Sequence, residues 1–64
     1  MDEIIKYKIA QDGAEVVDIW YPHDINHADI IAIHCHKAYK YKAYLNENTN
    51  EVVVGFCGEY TSRY

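Results

Sequence analysis

The chain has 64 residues, 50% of them hydrophobic and 25% charged, with six basic against ten acidic residues and a net charge of −4. That length accommodates a single domain, residues 1–64, with a thin core and no room for a deep enzyme pocket. The acidic balance disfavours a dedicated nucleic-acid binder, which needs cations for phosphates, and suits a basic partner surface.

The start, Met1-Asp2-Glu3, is acidic, and no apolar run of signal-peptide or membrane-spanning length follows it. Two cysteines, Cys35 and Cys57, fall short of the roughly four to eight of a small secreted scaffold. The expectation is a cytoplasmic protein with free thiols and no membrane contact. The anomaly is aromatic: seven tyrosines, one tryptophan and one phenylalanine in a domain with few places to hide them.

In chain order, residues 3–10 come first. Ile5, Tyr7 and Ile9 alternate with Lys6 and Lys8, which predicts a strand with one wet face. Asp12-Gly13 then reads as a type I′ hairpin turn. A second strand is expected over residues 14–21, with Val17, Ile19 and Tyr21 on one face and Val16, Asp18 and Trp20 on the other, ended by Pro22. Residues 24–45 predict a helix. Asp24 stands at an N-cap position, alanines recur at 28, 32, 38 and 43, and Ile25, Ala28, Ala32, Cys35, Tyr39 and Ala43 form one stripe at helical spacing. A rival all-β reading makes two strands of this stretch, because β-branched and aromatic residues are common in it. The polar run 46–50 is a turn, residues 51–57 form a strand with Val52, Val54 and Phe56 on one face, and residues 58–64 are expected to be a flexible tail.

The resulting fold class is α+β: a three-stranded antiparallel sheet, ββαβ, with one helix packed on one face and the first strand central. One helix covers one sheet face, so the other face should expose Trp20 with Ile4, Val16, Val53 and Cys57. Opposite the alanine stripe, Ile30, Ile33, Lys37, Tyr41 and Tyr44 share a helix face that should be charged if it met only water. Aromatic anchors of this kind are enriched at protein interfaces. These five residues and Trp20 are the candidate partner-binding set. The competing register puts Trp20, or the helix row, in the core.

Other chemistry is poorly supplied. His23, His27 and His34 fall near one helical face, and His23 and His27 are four apart, yet no further ligand has metal-site spacing. Cys35 beside His34 and His36 lacks an orienting third group, so it reads as an inert cysteine on the alanine stripe rather than a nucleophile. Carboxylates are scattered and there is no glycine-rich phosphate loop. The expectation is no enzyme, no cofactor and no metal. The run from Lys37 to Tyr44 interleaves lysines with aromatics, as single-strand binders do, but on a helix its lysines diverge.

A few positions resemble the Dmd-type antitoxins of T-even-like phages, which block host RNase toxins of the RnlA/LsoA kind. Glu3-Ile4-Ile5-Lys6 is similar to that family's opening, Asp24-Ile25-Asn26-His27-Ala28 to its helix start, Lys37-Ala38 to a later point on that helix, and an aliphatic strand ends at Cys57. The region around Asp12-Gly13 departs from the pattern, and the stretch from Gly58 is extra. The resemblance implies a phage-encoded inhibitor that binds a host toxin or defence nuclease stoichiometrically in the host cytoplasm. It assigns no role to any single residue. The alternatives are a small nucleic-acid-binding regulator and a homodimeric anti-restriction or anti-CRISPR type inhibitor.

Overall fold

A computed structural model describes residues 1–61. It is α+β, with helix α1 (Asp2–Gln11) followed by strands β1 (Glu15–Trp20), β2 (His27–His34), β3 (Lys37–Asn46) and β4 (Glu51–Glu59). The strands form one four-stranded sheet in the order β1-β2-β3-β4, and every neighbouring pair is antiparallel. Among the described residues the sheet therefore has four strands where the sequence predicts three, and no crossover.

The first segment is a helix, not a strand. Its alternation is ambiguous because Ile5 and Ile9 satisfy period two and helical i, i+4 spacing equally. Met1 continues the helical series, packs against the core, and its carbonyl accepts the Ile5 N–H at 3.0 Å. Tyr7, which a strand would have put beside Ile5 and Ile9, is 67% exposed. Asp2 and Glu3 in the first turn and Lys8 in the last complement the helix dipole.

Asp12-Gly13 ends this helix instead of joining two strands. Gly13 has φ +84°, its N–H donates to Ala10 O at 3.0 Å, and the Ala14 N–H donates to Ile9 O at 3.4 Å. That is the hydrogen-bond pattern of a Schellman motif, and its usual apolar contact is present, since Ile9 and Ala14 share the core cluster. The φ > 0 that makes Asp-Gly a hairpin signal serves a helix terminus equally well.

Residues 24–45 are two strands and a tight turn. In β2, Ala28, Ile30 and Ala32 are buried at every second position, and β3 sets Ala43, Tyr41 and Tyr39 opposite them. Between the strands, Cys35 and His36 have φ +52° and +66°, with His34 paired to Lys37. This is a two-residue hairpin with positive φ at both central positions, the type I′ arrangement, built without asparagine or glycine. Cys35 is consequently exposed at a turn, not buried on a stripe.

The core lies between α1 and one face of the sheet. Ile5, Ile9 and Ile30 are the largest fully buried side chains. They cluster with Ala14, Ala28, Ala32, Tyr41, Ala43 and Val52. The alanines let a helix lie close to a sheet, but they belong to the sheet, and the isoleucines of α1 fill the space above them. β1 contributes Val16 and Ile19 to the same side, because a bulge between Val16 and Asp18 displaces Val17 from the predicted alternation. Tyr21 closes the far end: its hydroxyl donates to Asp2 Oδ1 at the start of α1. At the C-terminal end, Gly58 and Glu59 extend β4 past a second bulge, and the Tyr60 N–H donates to Ala38 O at 2.9 Å. The start of the expected tail is thus sheet, held by backbone pairing; residues 62–64 lie outside the described residues.

Candidate functional site

Redrawing residues 24–45 as a hairpin redistributes the candidate residues. Ile30 (0% exposed) and Tyr41 (7%) are paired across β2 and β3 on the covered face and belong to the core. Ile33 and Tyr44 point the other way and are exposed. Lys37 begins β3, opposite His34. Trp20 also lies on the open side, since it pairs with Asp29, whose β2 parity is opposite to that of Ile30. The five-residue helix row therefore does not exist as a surface: two of its members hold the fold together and two reach solvent on the sheet.

What the structure brings together is the face of the sheet away from α1. Following the cross-strand pairs, this face carries Trp20 and Asp18 from β1, and His27, Asp29, Ile31 and Ile33 from β2. It continues with Lys40, Lys42 and Tyr44 from β3, and Val53 from β4. Trp20, Ile33, Tyr44 and Val53 are all exposed. Ile31 is buried yet stands outside the core cluster, so the sheet's own side chains give this face a small apolar floor. Lys40 Nζ lies 4.0 Å from Asp29 Oδ2, on neighbouring strands, which ties up one of its two lysines in a partly exposed ion pair.

One end of the face is more elaborate. His27 and Tyr44 are opposite residues with rings stacked at 6.4 Å and 24°. They border a hollow of about 200 Å³ together with Pro22, His23, Asp29 and Lys42. His27 is held from behind, because Asp24 Oδ1 lies 2.8 Å from its Nδ1 and also accepts the Asn26 N–H at 2.8 Å. These two bonds, the histidine's first, hold the Asp24 carboxyl below its ordinary pKa. Asp24 does the local job expected of a cap, but for a turn entering β2. Asn26 anchors the same turn across the sheet, donating to Glu47 Oε1 at 3.1 Å and accepting the Leu45 N–H at 2.9 Å.

Elsewhere the chemistry is sparse. Among the described residues, no three His, Cys, Asp or Glu side chains gather as a metal set. Cys35 Sγ lies 3.9 Å from His34 Nε2, too long and too exposed for a held thiol–base pair. Tyr41 has its hydroxyl pKa raised by burial, then by Asp12 and Tyr39, as a core tyrosine should. Phe56 is 63% exposed on the helix side, with its ring tilted against Tyr39 at 5.7 Å and edge-on to Tyr41 at 5.4 Å, although the sequence pattern groups it with Val52 and Val54 on the covered face. Among the described residues no helix is long and apolar enough to cross a membrane. No family model, curated protein or solved structure matches this chain.

Proposed function

We propose that this chain is a small protein-binding domain that works without catalysis, by stoichiometric contact through the open face of its sheet. The observation that carries this reading is the exposure of Trp20, Ile33, Tyr44 and Val53 on one face that no other element among the described residues covers. Tryptophan and tyrosine are the residues that most often dominate binding energy, and an apolar cluster within a charged border is the usual form of a contact patch. The hollow beside His27 and Tyr44 suits a single anchoring side chain of the partner.

For the partner class, the resemblance to phage antitoxins points to a host RNase toxin or defence nuclease. The support is the set of matched residues, of which Asp24 to Ala28 leads into a strand here and not into a helix. The test is direct. An RNase toxin of the RnlA/LsoA kind is titrated with the chain while RNA cleavage is followed. Inhibition should saturate at equimolar protein, and Trp20→Ala or Tyr44→Ala should weaken it by about 1–3 kcal/mol with the fold intact. Unchanged cleavage removes the toxin reading, and unaltered affinity in both variants for any partner found removes the open face.

A second reading has its own observation. Lys40 and Lys42 share the open face with Trp20 and Tyr44, a combination of cations and rings that could hold single-stranded nucleic acid. It requires RNA binding that falls steeply as salt rises, against the chain's net charge of −4. A third, a homodimer joined through the same face, requires association at micromolar concentration in sedimentation.

A further inference from the structure

The sheet has two outer strands, and they are built differently. β1 has six residues, carries Glu15 and Asp18, is bulged at Val17 and runs into Tyr21-Pro22. Short length, charge, a bulge and a nearby proline are the devices by which natural sheets keep an edge from pairing. β4 has nine residues, and the seven between Glu51 and Glu59, Val-Val-Val-Gly-Phe-Cys-Gly, include no charge and no proline. Its one bulge falls at Cys57, where the pairing steps from Tyr41 with Phe56 to Lys40 with Gly58, leaving the stretch from Val52 to Phe56 regular.

The hydrogen-bond alternation shows which groups that stretch offers. The Leu45 N–H donates to Asn26 O on the β2 side. Tyr44 and Lys42, of opposite parity, therefore face β4, where they meet Val53 and Gly55. Val52, Val54 and Phe56 are left with their N–H and C=O groups directed away from the sheet. Their side chains project on the helix side into a groove of about 480 Å³ that Gln11 and Asp12, at the end of α1, also line. An unpaired backbone edge beside a groove for alternate side chains is what strand addition requires.

We propose that the outer edge of β4 takes up, as a fifth strand, an extended apolar segment of another protein flanked by basic residues. Charge selects the occupant. Glu51 and Glu59 stand exposed at the two ends of the edge, while Asp12 and Lys8 both border the groove and offset one another, so the selecting charge lies at the ends. A strand of alternating apolar residues with Lys or Arg at its ends meets these carboxylates. A second copy of the chain brings the same acidic ends and the same net charge of −4 to the edge and is disfavoured by charge. This surface meets the open face at Val53 but needs none of Trp20, Ile33 or Tyr44.

The test uses the full chain, isotopically labelled, with the capped peptide Lys-Val-Thr-Val-Thr-Val-Lys and its counterpart ending in glutamates. The lysine peptide should slow amide exchange at Val52, Val54 and Phe56 by about tenfold, and the glutamate peptide should not. The double variant Glu51→Lys, Glu59→Lys should reverse that preference, which loss of folding cannot imitate. Val54→Pro removes an outward donor and should abolish the protection. The inference is overturned by exchange unchanged at millimolar peptide or by equal protection from both peptides. It is also overturned by protection in the free chain that grows with its own concentration, which would give the edge to a second copy. Trp20 fluorescence reports the open face in the same samples, so failure at one surface is not mistaken for failure at the other.

Discussion

The two faces of this sheet are drawn from the same strands and do opposite work. On the covered face, small and branched residues alternate, with Ala28, Ile30 and Ala32 facing Ala43, Tyr41 and Tyr39 in turn, and two isoleucines of α1 close over them. On the open face the intervening positions hold Asp29, Ile31 and Ile33 opposite Lys42, Lys40 and Ala38, an apolar floor within charge. A residue's role in this chain is thus decided by its parity along the strand. Ile30 and Ile33 look interchangeable in sequence, yet one is sealed in the core and the other is 42% exposed.

The comparison breaks most severely at Ile30. Ile30→Ala should cost about 2–5 kcal/mol, a large share of the roughly 3–10 kcal/mol available to a domain this small, and urea melts should find the chain largely unfolded. Ile33→Ala, on the open face, should change stability by less than about 1 kcal/mol in the same assay. Equal losses would mean that the two faces are not distinct.

Next in size are the fittings that keep α1 on its face. Gly13 has φ +84°, and an added Cβ would lie 3.3 Å from His34 Nε2. Gly13→Ala should therefore destabilise by about 1–2 kcal/mol through left-handed strain, read as a lower melting midpoint. The hairpin turn offers a gain of similar size. Replacing Cys35-His36 by Asn-Gly removes two strained positive-φ positions and should stabilise by about 1–2 kcal/mol, with both faces keeping their register in amide-exchange maps.

The smallest effect is at the clasp between Tyr21 and Asp2. Tyr21→Phe should cost about 1 kcal/mol near neutral pH. It also carries a pH signature. Burial first, and then the bond and charge of Asp2, push the Tyr21 hydroxyl from 10.0 up to about 12. Its folded pKa is raised, so its contribution is complete below pH 10 and is lost as pH rises toward 12. The wild-type chain should therefore lose stability across that window more than Tyr21→Phe does, and urea midpoints at the two limits would measure it.

Two of the four strands were legible in the sequence. The strand after Gly13, the strand of valines from Val52, the break at 46–50 and the parity that sets Trp20 on the other side from Ile19 and Val53 on the other side from Val52 all follow from alternation and turn chemistry, although the helix that covers the other face is not the expected one. Two stretches misled for physical reasons. In the first, a four-residue spacing is also a multiple of two, and Asp-Gly supplies φ > 0 to a helix end as readily as to a hairpin. In the second, alanines suggested a helix because propensity was weighed without tertiary context. In the sheet those alanines make room for α1, a need that belongs to the partner element and is invisible locally. The turn at Cys35-His36 carries no glycine or asparagine to mark it, and without a break there the residues on either side fall at helical period, which generates the five-residue row.

The sheet follows the chain in its order of assembly as well as in space. Each ladder joins strands that are neighbours in sequence, so closing each one needs only a short turn and little loop entropy. Domains dominated by such local closures fold quickly, and the hairpin of β2 and β3 can zip from its tip in about 1–10 μs. The helix, first in sequence, has nothing to bury Ile5 and Ile9 against until Ala28 and Ala43 are in place. During synthesis α1 must therefore wait for the middle of the sheet, and β4, with its outward-facing edge, is the last of the described strands to arrive.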